Sequence, residues 1–593
     1  MNALISVCNR LRWHALAVLA LLTFGSVGVA QAHAAGPANF FRVTYSYSST
    51  YAMSQEAQQY SVLVMQSTNY AMAAKLKAAN PSLKILMYMD PLDSVTTDPN
   101  AYTACTSYNS DMASHPSWFL KDQNGNYIHP NSSSSKYAMD VGNPSYQQAC
   151  VAHGVALAKQ NGFDGIFFDD IETSYRWVFP SGIYSPLYPN PTAYYNSFVS
   201  FVSYAGPQIR SQGLISVGNL SAASPAQWQA LTSPLDGSEE ESWTDGGLGL
   251  AQQIPFMASK LSNVAWSEAN GKLALLHSYN TTETGNTYGL ASMLLVGNGK
   301  ATYATSNSCY TNCESWYPEY DTAAQLGSPV GTYMKLPNGV YIRWFQNGVV
   351  LVNATANATA SFSLGGGTYT GTGLSSVSSV SMPATSAYIL LADPGNVVAG
   401  PALTSAPSIS GNVWKGQTLT ATAGSWSGSP APTYQYQWSR CTTSSASSCT
   451  PISGANAASY VVQSADVGQY LTVAVTATNS GGVAGASAPL TIPVPAPTFT
   501  LTASPASQSV VPGYTVYYTI YVHPMYGWVG PVTFSATGAP PYGSATFSTL
   551  SSRTATTLHV TAGKSSPAGT YTVTTKATAN GQSASVPVSV TVK

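Results

Sequence analysis

The stretch Asn161-Gly162-Phe163-Asp164-Gly165-Ile166-Phe167-Phe168-Asp169-Asp170-Ile171-Glu172 reads as the end of a helix, one short strand and a cluster of acids. Ser145 to Gln160 has helical character, and Asn161-Gly162 supplies the left-handed stop that closes a helix. Asp164-Gly165 is a tight turn into Ile166-Phe167-Phe168, a continuous apolar run of the kind expected of a parallel strand buried on both faces. The run stops at Asp169-Asp170. Acids at the C-terminal end of a buried parallel strand are costly to desolvate, and in a barrel of alternating strands and helices that end is where chemistry is done.

A second stretch, Leu235-Asp236-Gly237-Ser238-Glu239-Glu240-Glu241-Ser242-Trp243, repeats the arrangement. Asp164 leads to Asp169 as Asp236 leads to Glu241, five residues on in each case. Equal offsets imply equal facing. As strands four and six of an eight-stranded barrel, the two would share parity and line the same interior layers. Their backbones would stand roughly 10 Å apart, which brings inward carboxyls to about 5 to 9 Å, the range of glycosidase acid pairs.

Strand and helix signals alternate from Phe40 onward. The expected strands are Phe41 to Tyr45, Ser61 to Gln66, Lys84 to Met89, Tyr137 to Val141 or the Phe163 strand, Ile215 to Asn219, the Asp236 strand, Leu273 to His277 and Ala301 to Ala304. Helical stretches such as Tyr70 to Ala79, Tyr194 to Gln212 and Tyr288 to Val296 lie between them. This alternation predicts a (β/α)8 TIM barrel over 35–318, with the Asn-, Ser- and Tyr-rich insertion Pro91 to Ser135 as a loop on its active face. After Pro318 the signals are strands only, separated by Asn-Gly and Gly-Gly turns, and predict a small antiparallel β-sandwich over 319–394. Pro394 to Pro407 reads as a linker. Residues 402–493 read as an immunoglobulin-like sandwich, with Trp438 on its central strand and Asp466 to Tyr470 resembling the corner in which a tyrosine hydroxyl locks the next strand. Residues 497–593 read as a second such sandwich. The chain is thus expected to be multidomain, α/β plus all-β, and the two end modules are expected either to bind polysaccharide or to act as spacers.

Arg10 and Arg12 precede the apolar run Ala15 to Phe24, which is too short to anchor in a bilayer, and small residues near Ala34 suit cleavage. Residues 1–34 are therefore expected to be a signal peptide, and the mature chain to be secreted or periplasmic, monomeric and without a membrane span. Cys8 leaves with that segment. The six remaining cysteines suggest disulfides in an exported chain: Cys309 with Cys313 and Cys441 with Cys449 by proximity, Cys105 with Cys150 by elimination. Cys309 and Cys313 lack the further ligands a zinc site needs, and neither metal nor cofactor is expected. Charged residues are 8% of the 593 and the net charge is −1, which removes the electrostatic basis for binding nucleic acid or anionic lipid. Thirty-eight tyrosines amid abundant Ser, Thr, Asn and Gly suit a neutral, hydrogen-bonding partner such as a sugar.

The pattern Phe163 to Asp170, preceded by His115-Pro116-Ser117-Trp118-Phe119-Leu120 and Met139-Asp140-Val141-Gly142-Asn143-Pro144, resembles the bacterial glycoside hydrolases grouped as hypothetical glycosyl hydrolase family fifteen. Asp236-Gly237 with Glu241-Ser242-Trp243 is similar to that group's later motif. The resemblance covers roughly Phe40 to Pro394. It implies a barrel fold and glycosidic bond hydrolysis, and it leaves open which of Glu239, Glu240 and Glu241 fills the family position. Asp169 is expected as nucleophile or base and Glu241 as general acid, with Asp170 and Glu239 in reserve. Tyr88, Asp90, Asp140, Asn219 and Trp243 are expected to contact a poly- or oligosaccharide; for Asp90, Asp140 and Asn219 a cap or turn role is the competing reading. His277 reads as a satisfied strand histidine. Of the aromatic residues near these strands, Trp118, Tyr175 and Trp177 read as core, while Trp243 and Tyr88 are expected to line the cleft. The rival class is a non-catalytic carbohydrate-binding or adhesion protein on the same scaffold.

Overall fold

The computed structural model describes residues 39–593 apart from 45–56, 99–101, 131–132, 172–174, 180, 221–222, 246–249, 251–253, 280–281, 307–315, 337, 365–366 and 397, and apart from the side chains of 176 and 177. The expected signal peptide, the Cys309–Cys313 pair and the side chain of Trp177 lie outside these residues.

Eight parallel strands form one sheet: β1 (Phe41–Thr44), β2 (Val62–Met65), β3 (Lys84–Met89), β4 (Gly165–Phe168), β5 (Ile215–Asn219), β6 (Gly237–Glu240), β7 (Leu273–Ser278) and β8 (Ala301–Thr305). Their spatial order is their chain order. A parallel bridge between Phe40 and Tyr303, with Tyr303 N–H donating to the Asn39 carbonyl at 2.9 Å, closes the sheet into the expected barrel. Inward positions alternate along each strand, and Phe41, Val43, Val62, Val64, Leu86, Phe167, Val217 and Leu275 fill the interior as an apolar plug.

The Asp-Gly pairs are framing devices at the N-terminal face. The carboxylate of Asp164 accepts from Ile85 N–H at 2.8 Å and pairs with Lys77 at 2.9 Å; that of Asp236 accepts from Ser216 N–H at 3.0 Å and pairs with Arg210 at 2.9 Å. In each case an acid entering one strand captures the backbone of the strand before it and a base from an earlier helix. The glycines that follow sit against the next strand: a Cβ on Gly165 would lie 2.2 Å from the Ile215 carbonyl oxygen, and one on Gly237 would lie 2.5 Å from the Leu273 Cβ. The helix Pro144–Asn161 stops at Gly162, φ +73°, which is the left-handed residue the sequence predicts.

Strand four is the Phe163 strand. The alternative, Tyr137 to Val141, is not in the barrel: Lys136–Ala138 pairs with Asp93–Val95 as a two-stranded ribbon inside the long β3 loop. Asp140 breaks the run after Ala138-Met139, so the stretch lacks the continuous apolar sequence of a strand buried on both faces. The Cys105–Cys150 disulfide ties this loop to the helix Pro144–Asn161.

Beyond the barrel, a six-stranded antiparallel sheet begins at Pro329–Lys335 and ends at Ser386–Ala392 in chain order. Buried Arg343 reaches from it into the barrel, donating to the carbonyls of Leu294 and Gly297 at 3.0 and 2.8 Å and to Asn298 Oδ1 at 2.6 Å. These carbonyls belong to the C-terminus of the helix Glu283–Val296, where a cation is favoured. The expected linker is partly structured: Ala399–Ser405 pairs with Ser425–Ser429 as a strand of the following sandwich. Its Pro401 occupies a short, two-stranded sheet, where the missing N–H costs little. In that sandwich Trp438 is buried and stacks on Tyr460, and Cys441 and Cys449 face each other across a hairpin and are bonded. The corner is locked by Asp466, which accepts from Tyr460 Oη at 2.8 Å and pairs with Arg440; the hydroxyl that does this is Tyr460's, not Tyr470's. The last module packs Thr498–Ser504 to Gln582–Val592 into sheets of four and five strands.

Candidate active site

Inward parity carries the apolar plug up to a polar rim. Tyr88 on β3, Asp169 just past β4, Asn219 on β5 and Glu241 just past β6 all follow the interior positions of their strands, and the rim is closed by Tyr279 beyond β7. Tyr88 Oη donates to Asp169 Oδ2 at 2.6 Å and Asp170 N–H donates to Asp169 Oδ1 at 2.9 Å. Tyr279 Oη donates to Glu241 Oε1. The amide nitrogen of buried Asn219 donates to both acids, at 2.9 Å to Asp169 Oδ1 and 2.8 Å to Glu241 Oε2. The two N–H bonds of a planar amide diverge by about 120°, which sets those two oxygens roughly 5 Å apart.

Burial and the charge of Glu241 push the Asp169 carboxyl above its ordinary value, against the pull of its three donors. Glu239 lies on the same face of β6 one layer deeper, 2% exposed, and burial with the neighbouring charges of Glu241, Asp169 and Glu240 pushes it well above the ordinary range. His277 Nδ1 stands 3.5 Å from Glu239 Oε1, and its Nε2 is hydrogen-bonded to Ser306 Oγ at 2.8 Å. Burial depresses this imidazole to about 4, so at neutral pH it is uncharged, and burial favours the neutral form of the Glu239 carboxyl beside it. Glu240 faces outward and pairs with Lys260 at 3.3 Å. Among three consecutive glutamates, only Glu241 reaches the rim.

The other expected residues divide. Asp90, the next inward position after Tyr88, is buried, accepts from Leu92 N–H at 2.8 Å and is pushed well above its ordinary value by burial and by the charges of Asp93 and Asp170. Lys136 pairs with Asp93 at 2.6 Å. Asp170 has φ +46°, and its charge acts on this Asp90 group and on Lys136, so the reserve acid belongs to the wall beside the pair. Asp140 accepts from Tyr188 Oη and from Gly142 N–H, and organises the turn into the helix Pro144–Asn161. Trp243 does not line the cleft: it is 1% exposed, with its indole N–H donating to the Gly289 carbonyl at 2.9 Å. An odd-numbered inward run ends at Glu241, and the chain turns there, sending Trp243 between β6 and the helix Glu283–Val296. Trp118 and Tyr175 are likewise buried, hydrogen-bonded to Ser145 and to the Tyr188 carbonyl. Tyr279 went unexpected, although it lies two residues past His277 and so shares its facing. Among the described residues, no group of three or more His, Cys, Asp or Glu is placed to hold a metal ion.

Residues 77–349 match the family described as hypothetical glycosyl hydrolase family 15. Residues 77–349 make up a glycoside hydrolase domain similar to that family. Residues 404–491, downstream of the hydrolase domain, match the AIR9 A9 immunoglobulin-like domain. No curated protein sequence matches the chain. Similar solved structures include a noncanonic maltogenic alpha-amylase from Thermotoga neapolitana, at 11% identity over 60% of this chain and 96% of that one, TM-score 0.35. An alpha-amylase from Malbranchea cinnamomea is 10% identical over 61% and 98%, TM-score 0.36. A dextranase from Flavobacterium johnsoniae is 8% identical over 88% and 69%, TM-score 0.36. Likeness at this level bears on neither substrate nor mechanism of the hydrolase domain.

Proposed function

We propose that the barrel hydrolyses glycosidic bonds of a poly- or oligosaccharide with Asp169 and Glu241, and that it does so with retention of configuration. The observation that carries this is the single Asn219 amide donating to both acids. Roughly 5 Å between the carboxyls is the spacing of retaining enzymes, whereas inverting ones hold theirs about 6.5 to 9.5 Å apart to admit a water.

Asp169 accepts from Tyr88, from Asn219 and from the Asp170 backbone N–H, donors that favour a carboxylate able to attack, and we assign it as nucleophile and Glu241 as acid. In the first step the Asp169 carboxylate attacks the anomeric carbon as the bond to the leaving oxygen breaks, and Glu241 gives its proton to that oxygen. The glycosyl ester on Asp169 is then cleaved by water, whose proton passes to Glu241 and whose oxygen takes the anomeric position, freeing Asp169. Asp90 and the neighbouring Asp170 stand on one wall, where their carboxyls can meet sugar hydroxyls. Export of the chain is supported by the two disulfides and by the basic-then-apolar N-terminal pattern. Among the described residues, no helix is long and apolar enough to cross a membrane.

The test is release of reducing ends by the purified protein across a panel of polysaccharides, with the anomer of the first product read by NMR. Retained configuration and loss of release in Asp169→Asn and Glu241→Gln are expected. Binding without release by the unaltered protein would favour the non-catalytic class instead, and an inverted product would sink the retaining assignment.

A further inference from the structure

The last module turns one sheet outward, and its composition there is unusual. Strands Thr498–Ser504, Thr515–Met525, Ala555–Thr561 and Ser544–Phe547 lie side by side in that order. Along the second of these, Tyr518, Ile520 and Val522 are buried in the core, while Tyr517 and Tyr521 point out and remain 56% and 43% exposed. Register places Tyr521 between Thr502 and Ala555, and Tyr517 beside His559. The small Ala555 leaves the Tyr521 ring open on one side. The two rings are four residues apart on one strand, roughly 13 Å.

The polar groups between them are held in place. Thr502 Oγ1 hydrogen-bonds His523 Nε2 and Ser548 Oγ hydrogen-bonds His559 Nε2, both at 2.7 Å. The four strands contain no Asp, Glu, Lys or Arg. A face with exposed aromatic rings, fixed hydroxyls and no formal charge is matched to an uncharged ligand that is apolar on its ring faces and polar at its edges. It offers nothing to a phosphate backbone or an anionic lipid surface. It also lacks the contiguous apolar area by which a second copy would be held, because threonines and histidines interrupt it.

We propose that this face binds a neutral polysaccharide, with Tyr517 and Tyr521 stacking on separate sugar rings of one chain and Thr500 and Thr502 contacting hydroxyls. The ring separation requires an oligomer, so a monosaccharide would engage only one tyrosine. The site stands apart from the barrel and does not depend on its chemistry.

The test is affinity electrophoresis of the full chain in gels containing amylopectin, dextran or hydroxyethylcellulose, with polygalacturonate as the anionic control. At least one neutral polymer is expected to retard both the wild-type protein and Asp169→Asn. The Tyr517→Ala/Tyr521→Ala variant should lose about tenfold in affinity, the Tyr517→Phe/Tyr521→Phe variant should keep it, and hydrolysis of a short soluble substrate should be unchanged in both. The proposal is overturned if no neutral polymer retards the protein, if the alanine variant is retarded equally, if polygalacturonate is preferred, or if the alanine pair instead converts a dimer to a monomer in sedimentation. A barrel without activity would leave the retardation intact, so the two readings fail separately.

Discussion

Strands β4 and β6 are framed alike and filled differently. Each opens with an Asp-Gly pair whose acid holds the preceding strand and whose glycine admits the following one, and each delivers a carboxylate to the rim five residues after that acid. Between frame and rim, β4 is Ile166-Phe167-Phe168, while β6 is Ser238-Glu239-Glu240, fully buried in spite of its polarity. The polar strand is tolerated because Ser238 is matched by Thr232 at 2.8 Å and Glu240 by Lys260, while burial favours the neutral form of Glu239. Register at the base, rather than hydrophobicity along the strand, is what the two share.

The largest effect should separate the two carboxylates. Asp169→Asn and Glu241→Gln are each expected to lower hydrolysis at least about 10³-fold. With an activated aryl leaving group that needs no proton, Glu241→Gln should recover the first step and Asp169→Asn should not; equal recovery would mean that the roles are wrongly divided. At the base, Gly165→Ala should cost about 3 kcal/mol in denaturant unfolding and Gly237→Ala less, because the nearest backbone carbonyl oxygen lies 2.2 Å from the added Cβ in the first case and 2.7 Å in the second. Equal losses would remove this distinction between the frames. Asn219→Ala touches both strands at once and should lower kcat/KM about 10²-fold. An unimpaired variant would show that the shared amide does not set the geometry.

A smaller effect concerns pH. Asp169 must be ionised to attack, and its carboxyl is held above the usual value by burial and by Glu241, so kcat/KM should fall with decreasing pH through a midpoint above about 3.9. In Glu241→Gln, assayed with the activated substrate, that midpoint should move down, since one raising charge is gone; an unmoved limb would assign the titration elsewhere. Least of all, Asp164→Asn and Asp236→Asn should each cost about 1 kcal/mol and leave kcat unchanged, as measured by paired melting and kinetic assays.

The equal Asp-to-carboxylate offsets made the barrel and the acid pair readable, because a fixed register at the base and a period of two fix which residues face inward. β4 was legible twice over, from its apolar run and from its offset. β6 was legible from the offset alone, and its consecutive glutamates could be told apart only once the helix carrying Lys260 was in place. Trp243 was misread because inward facing ends where the chain turns after Glu241, and a turn direction is a tertiary property. Tyr279 was within reach of the same parity argument through His277. The strand at Ala399–Ser405 was hidden by its Pro and Gly content, which marks a loop unless a partner strand supplies the pairing.

Arg343 lies beyond the last barrel strand and yet completes the helix that precedes that strand. The family match, which runs through residue 349, includes it. The barrel is therefore best handled as one piece with the first strands of the sheet behind it. A cut placed at the end of β8 would leave a helix terminus with its carbonyls unanswered, so shorter recombinant pieces are poor candidates for independent folding, and chimeras should be joined on the far side of that arginine.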